Sequence, residues 1–98
     1  DFGRNQAWWE WQSQLGALLN MDVVQLPVYS WGCAIGHAIR MAARITGRRR
    51  VLVPRLSDPE RLAVIRTYCQ PEGMTGAIEV ALVGADPASG RLDLADLK

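Results

Sequence analysis

The stretch from Asn20 to Arg55, NMDVVQLPVYSWGCAIGHAIRMAARITGRRRVLVPR, constrains the fold more than any other part of the chain. Gly32, Ala34, Gly36, Ala38, Ala42 and Ala43 fall within one helical pattern, predicted from Gly32 to Thr46. A helix this thin can lie close to a sheet or to a second helix, because side-chain size sets the distance between packed elements. Ile35, Ala38, Ile39, Ala42 and Ile45 recur at helical spacing and are its expected buried face. Gly47 suits the left-handed residue that ends a helix, and Arg48 to Arg50 follow at the negative end of the dipole as a solvated helix end. Val51-Leu52-Val53 then reads as a short strand closed by Pro54. The loop before the helix, Tyr29 to Ala34, places small residues at a helix N-terminus. Unpaired N–H groups and the dipole both favour negative charge there.

On the N-terminal side, Ala7, Trp8, Trp11, Leu15, Leu18 and Leu19 form one apolar stripe on a helix expected from about Asn5 to Leu19, ended by Asn20. Trp9 falls off that stripe. The run WWEW carries too many tryptophans for one helix face, so some must pack against material outside it. On the C-terminal side, Asp58 as N-cap and Pro59 in the first turn start a third helix with Leu62, Ile65, Tyr68 and Cys69 inward. Gly73 to Gly76 read as a turn. Ile78 to Val83 (IEVALV) read as a strand covered on both faces, Asp86 to Gly90 as a second turn, and Asp93 as the cap of a helix. Strands alternating with helices predict parallel pairing and an α/β layer structure.

Length and charge narrow the function. Ninety-eight residues make at most one small domain. Two strands do not complete a sheet, and the chain opens at Asp1 without a Met and stops at Lys98 as a helix begins. A fragment of a larger protein is therefore expected, with no internal domain boundary. A net charge of +1 argues against electrostatic binding to nucleic acid or to an anionic membrane. No apolar run approaches the length of a membrane span. Cys33 and Cys69 lie in no metal-type spacing and are expected as two reduced thiols of a cytoplasmic protein. No metal ligands are expected.

The order of residues also carries a resemblance. Gly3, Gln6, Glu10, Trp11, Gln12 and Ser13 are followed by Met21-Asp22-Val23, by the Tyr29 loop with Gly32 to Ala34, by MAARITGRRRVLV (41–53), by Pro59-Glu60 and by Ile65 to Tyr68. This collinear series resembles the P-protein family of the glycine cleavage system, glycine dehydrogenase (decarboxylating), in its subunit-1 form. Beyond Tyr68 the likeness is only that of generic strand, turn and helix. The resemblance implies a fragment of the three-layer large domain of a fold-type I pyridoxal-phosphate enzyme, aminotransferase-like in architecture. It implies an oligomer in which subunit 2 supplies the lysine that carries the cofactor. The reaction implied is glycine decarboxylation with aminomethyl transfer to the lipoyl H-protein. The loop before the first long helix is then the cofactor-phosphate position, which puts Ser30, Gly32 and Cys33 on the cofactor side and Tyr29 near substrate. No residue of this chain is expected to be catalytic.

Four departures from the family pattern cluster at that position. The family usually has an acidic residue at Ser30, Thr or Ser at Cys33, Glu at His37, and commonly a stacking His at Asp58. A carboxylate at 58 cannot stack on a pyridine ring and repels a phosphate. A catalytically eroded structural or regulatory partner is therefore the alternative reading, and another fold-type I enzyme such as an aminotransferase a further one. His37, the only histidine, is expected to be structural or solvent-facing. It lies at i+4 from Cys33, so a thiol–imidazole pair suited to acyl transfer is a separate possibility, against simple small-residue packing at Cys33. Asp22 reads as a local turn or capping residue.

Overall fold

The chain was analysed as a computed structural model that describes residues 1–71, 73 and 75–98. The turn expected at Gly73 to Gly76 includes Met74, which with Glu72 lies outside the described residues. Five elements follow one another: α1 (Phe2–Leu19), α2 (Trp31–Thr46), β1 (Arg50–Pro54), α3 (Pro59–Cys69) and β2 (Glu79–Val83). The two strands pair in parallel, with Arg50 opposite Glu79 and Val53 opposite Leu82. The α/β alternation and the parallel pairing are as the sequence predicts. β2 starts one residue later than expected, although Ile78 is buried just ahead of it.

The helix ends follow local chemistry. Asn20 takes the left-handed conformation at φ 52° and Gly47 at φ 71°, and each ends its helix. Asp58 caps α3, its Oδ1 accepting from the N–H of Arg61 at 3.0 Å. α1 begins at Phe2, three residues before the expected start, and its terminal Asp1 makes no side-chain cap. The C-terminal helix expected from Asp93 does not form. Asp93 Oδ1 accepts from the N–H of Ala95, and a single helical bond runs from Leu97 N to Asp93 O at 3.2 Å. Residues 85–92 instead close a small turn, with an antiparallel bridge between Ala85 and Leu92.

Ala43, Ile65, Cys69 and Ile78 form the core, with Ile39, Val51 and Val80 packed on it. Its composition corrects the sequence reading of α2. Gly32, Gly36 and Ala43 are the buried residues of that helix, and they face α3. Ile35, Ala38, Ala42 and Ile45 are exposed, and of the predicted face only Ile39 is half-buried. The reason is steric. A Cβ on Gly32 would lie 2.9 Å from Val64 Cβ, and one on Gly36 would lie 2.6 Å from Tyr68 Cγ. The glycine row lets α3 dock so closely that its larger side chains are covered by the backbone of α2.

The stripe predicted on α1 is not buried either. Trp8, Trp11, Leu18 and Leu19 are exposed, and Trp9 is 62 % exposed. α1 rests on the segment that follows it, where Gln12 Nε2 donates to Val24 O at 2.7 Å and Gly16 approaches Met21 O. The two-sided cover expected for β2 is incomplete, since Val80, Ala81 and Leu82 are only half-buried. The radius of gyration is 16.8 Å, against about 13 Å for a compact chain of this size. The accessible area is 7978 Å² for 10.8 kDa, against about 5500 Å² for a compact monomer. Among the described residues no helix is long and apolar enough to cross a membrane.

Candidate functional site

The N-termini of α2 and α3 lie side by side, and of the residues singled out by the sequence Ser30, Gly32 and Asp58 meet between them, whereas Tyr29, Cys33 and His37 do not. Ser30 is extended at φ −155° and caps α2, its Oγ accepting from the N–H of Cys33 at 3.2 Å. Its carbonyl accepts from Ala34 N at 3.0 Å. Ser30, Trp31 and Gly32 face Asp58, Glu60 and Arg61 across an open hollow of about 320 Å³. The Arg61 guanidinium stands 4.9 Å above the Trp31 ring, a cation–π geometry. Tyr29 is fully exposed just before the loop.

The hollow has the backbone of an anion site but not its charge. A helix N-terminus and the Arg61 cation favour an anion. Two carboxylates, Asp58 and Glu60, share the same wall and oppose one. The single lysine, Lys98, does not line it. Gly32 is held by its approach to Val64, so its lack of a side chain is already required by helix packing. These residues do not by themselves make a complete pyridoxal-phosphate site: they lack a lysine to carry the cofactor, and a dianion here would face two carboxylates.

A second group of polar side chains stands one turn along α2. The Tyr68 hydroxyl of α3 lies 3.4 Å from His37 Nε2, and the two rings meet edge to face with centroids 4.8 Å apart. Side-chain hydrogen bonding from Ser30, and then from Tyr68, stabilises the Cys33 thiolate and lowers the thiol pKa. The Tyr68 pKa is raised in turn, first because only the protonated hydroxyl can donate to the thiolate and then by desolvation. Cys33 and His37 lie one turn apart on α2, and the hydroxyl of Tyr68 on α3 reaches His37. Cys69 is different: it is wholly buried, and desolvation raises its pKa against a smaller opposing effect of Arg40. Both cysteines are free, and among the described residues no three His, Cys, Asp or Glu side chains form a metal cluster.

Tyr68 is the residue that sequence reasoning placed only in the core. Its helical spacing from Ile65 put it on the inner face of α3, correctly, but did not show that its hydroxyl reaches the loop helix. The available signal was Gly36. A glycine inside a helix has to be explained by a close neighbour, and that neighbour is the Tyr68 ring. Asp22 sits in a bend. The arginines after Gly47 are exposed, as expected of a helix end. Arg49 Nη1 donates to Gly76 O at 3.0 Å, and Arg50 pairs with Glu79 at 3.6 Å.

Comparison with known proteins gives a consistent answer along nearly the whole chain. A protein of Saccharolobus islandicus called "Probable glycine dehydrogenase (decarboxylating) subunit 1" is 43 % identical over 96 residues, covering 98 % of this chain. Proteins of the same description from Saccharolobus solfataricus and Aeropyrum pernix are each 42 % identical, over 93 and 96 residues. The chain spans about 20 % of the length of these relatives. No family model matches it, and no solved structure matches it.

Proposed function

We propose, from the premise that this chain is homologous to a segment of glycine dehydrogenase (decarboxylating) subunit 1, that residues 1–98 form part of the large domain of such a subunit. That domain is of the fold-type I, three-layer kind. The complete enzyme decarboxylates glycine and passes the aminomethyl group to the lipoyl H-protein. Pyridoxal phosphate supplies the electron sink for that chemistry. The cofactor is held mainly by subunit 2, and the assembly works in the cytoplasm. In this reading Tyr29 faces the substrate cleft, while Ser30, Gly32 and Cys33 form a supporting wall at the cofactor-phosphate end.

The observation that carries the reading is the identity of 42–43 % along nearly all of the chain to relatives of one description. The geometry supports the supporting-wall role. Tyr29 projects fully exposed from a loop whose backbone is fixed by the Ser30 cap, and that loop stands on the tight α2–α3 pair. The surplus of exposed apolar surface fits a segment whose sheet and helices are covered by further chain and by a partner subunit.

The carboxylates of Asp58 and Glu60 favour one second reading, a structural or regulatory partner that keeps the fold and binds no cofactor. One titration separates the two. The full-length protein, its candidate subunit 2 and their mixture are titrated with pyridoxal phosphate, and absorbance is followed with and without glycine. The enzyme reading expects a glycine-dependent spectral change that needs both subunits and weakens on Tyr29→Ala. A response of subunit 2 alone, equal to that of the mixture, establishes the non-catalytic partner. No response in any sample sinks the enzyme reading.

A further inference from the structure

We infer that Arg61 is a positioning residue: by stacking on Trp31 it ties the loop that carries Tyr29 to the head of α3. The inference rests on the reading that Tyr29 faces the substrate cleft, and it supplies the contact that holds Tyr29 there.

Residues 21–30 join α1 to α2 without forming a helix or a strand, so the place of Tyr29 is set from the α2 side. The Ser30 cap fixes the loop to its own helix, with Oγ accepting from Cys33 N at 3.2 Å and the carbonyl accepting from Ala34 N at 3.0 Å. Two contacts then cross to α3. A Cβ on Gly32 would lie 2.9 Å from Val64 Cβ and 3.5 Å from Arg61 Cα, so the two main chains come close here. From that anchored Cα the Arg61 guanidinium stands 4.9 Å from the centroid of the Trp31 ring. Trp31 is the first residue of α2 and is 73 % exposed. A ring so exposed swings between rotamers unless a neighbour holds it.

The partner that Arg61 takes is informative. Two carboxylates, Asp58 and Glu60, stand with it on the wall of the hollow. Among the described residues its guanidinium makes an ion pair with neither. Asp58 instead caps α3, its Oδ1 accepting from the Arg61 main-chain N–H at 3.0 Å. The guanidinium takes the indole face, where a planar and weakly hydrated cation stacks well. An arginine that served only to balance charge would lie against a carboxylate. This one closes the rim of the hollow, from α3 to the residue two places after Tyr29.

The test uses the full-length protein. Arg61→Gln removes the cation, and Trp31→Leu removes the ring while leaving the cation. Amide exchange is followed at Cys33 and Ala34, whose N–H groups bond to Ser30. Each variant should exchange both amides about two- to five-fold faster, the factor that a cation–π contact carries at an exposed site. The double variant should be no faster than either single one, because the same contact is lost only once. Arg61→Lys should recover part of the protection. Mixed with subunit 2 and pyridoxal phosphate, both single variants should raise the glycine concentration at half-maximal spectral change by a similar factor, with the amplitude unchanged. Unfolding midpoints measured alongside keep a loss of fold apart from a loss of position. Unchanged exchange in both variants overturns the inference. So does a glycine midpoint that moves with Arg61→Gln but not with Trp31→Leu, since Arg61 then acts through its charge alone. A wild-type mixture that ignores glycine sinks the enzyme reading, while the exchange rates still decide whether Arg61 holds the loop.

Discussion

α1 and α2 are both rich in apolar residues, yet they meet the rest of the molecule in opposite ways. α2 is buried where it is smallest, at Gly32, Gly36 and Ala43. α1 carries three tryptophans within four positions and leaves all of them exposed. The difference teaches that apolar content alone does not select the packed face. A helix docks where its surface lets a neighbour come close, because dispersion contacts fall off within an ångström of separation. Large side chains on α1 have hydrophobic energy to release, but nothing in this stretch of chain offers a matching surface.

The sharpest way to break the comparison is to attack the close face and spare the open one. Ile65 is 1 % exposed at the centre of the α2–α3 contact, and Ile65→Ala is expected to cost about 2–5 kcal/mol in chemical denaturation. Gly36→Ala drives a methyl into Tyr68 and is expected to cost about 1–3 kcal/mol. Ile45→Ala, on the exposed face of the same helix, serves as the contrast. If Gly36→Ala proves neutral while Ile45→Ala is costly in the same protein, α2 packs through its large residues and the comparison fails.

A smaller effect is expected at the cap that orients α3. Asp58→Ala removes the acceptor for Arg61 N and is expected to lose about 0.5–2 kcal/mol. Asp58→Asn keeps an acceptor and should recover most of that loss. Equal losses in both variants would mean that charge, not capping, is what Asp58 contributes.

The open region makes its own prediction. Residues 1–98 produced alone should associate as concentration rises, because their exposed apolar area exceeds what a compact chain leaves uncovered. Trp9→Ser, at the most exposed of the three tryptophans, should weaken that association in sedimentation velocity. A concentration-independent monomer with a sharp unfolding transition would contradict the idea that α1 is an uncovered surface.

The smallest effect lies in the turn at 86–90. Ser89 Oγ donates to the Asp86 carboxylate, and with a further bond from Ala88 N it holds that carboxyl below its ordinary pKa. A lowered folded-state pKa means that the unfolded chain binds the proton more readily. The contribution is therefore present above the ordinary carboxylate range and is lost as pH falls through the lowered folded value. The protection of the Ala88 and Gly90 amides, taken relative to intrinsic exchange at each pH, should fall in that acid window and stay flat above it. Ser89→Ala should shift the onset to higher pH.

Much of this was legible before any coordinates. Asn20, Gly47 and Asp58 marked helix ends because left-handed conformations and side-chain caps are properties of single residues. Val51 to Val53 and Ile78 to Val83 read as strands because short apolar runs bounded by turns have few other uses. The likeness to glycine dehydrogenase (decarboxylating) subunit 1 was legible in a collinear series of residues. What failed did so for reasons that lie outside the local sequence. The face of α2 was assigned by which of its own residues were apolar, whereas the glycines bury their neighbour's surface and contribute almost none themselves. The helix expected from Asp93 does not form, although Asp93 Oδ1 accepts from the N–H of Ala95, since a first turn without packing is unfavourable.

The sequence by itself determined the order of the helices and strands and several of their ends, that the strands are parallel, and which family the chain resembles. Those features depend on local backbone chemistry and on residue order. Only the tertiary structure decided that α2 turns its small residues inward and that Tyr68 reaches across to Gly36 and His37. It also decided that Asp58 and Glu60 stand on the wall of the loop hollow. Each of those depends on how near two elements come, and that distance is set by pairs of side chains far apart in the chain.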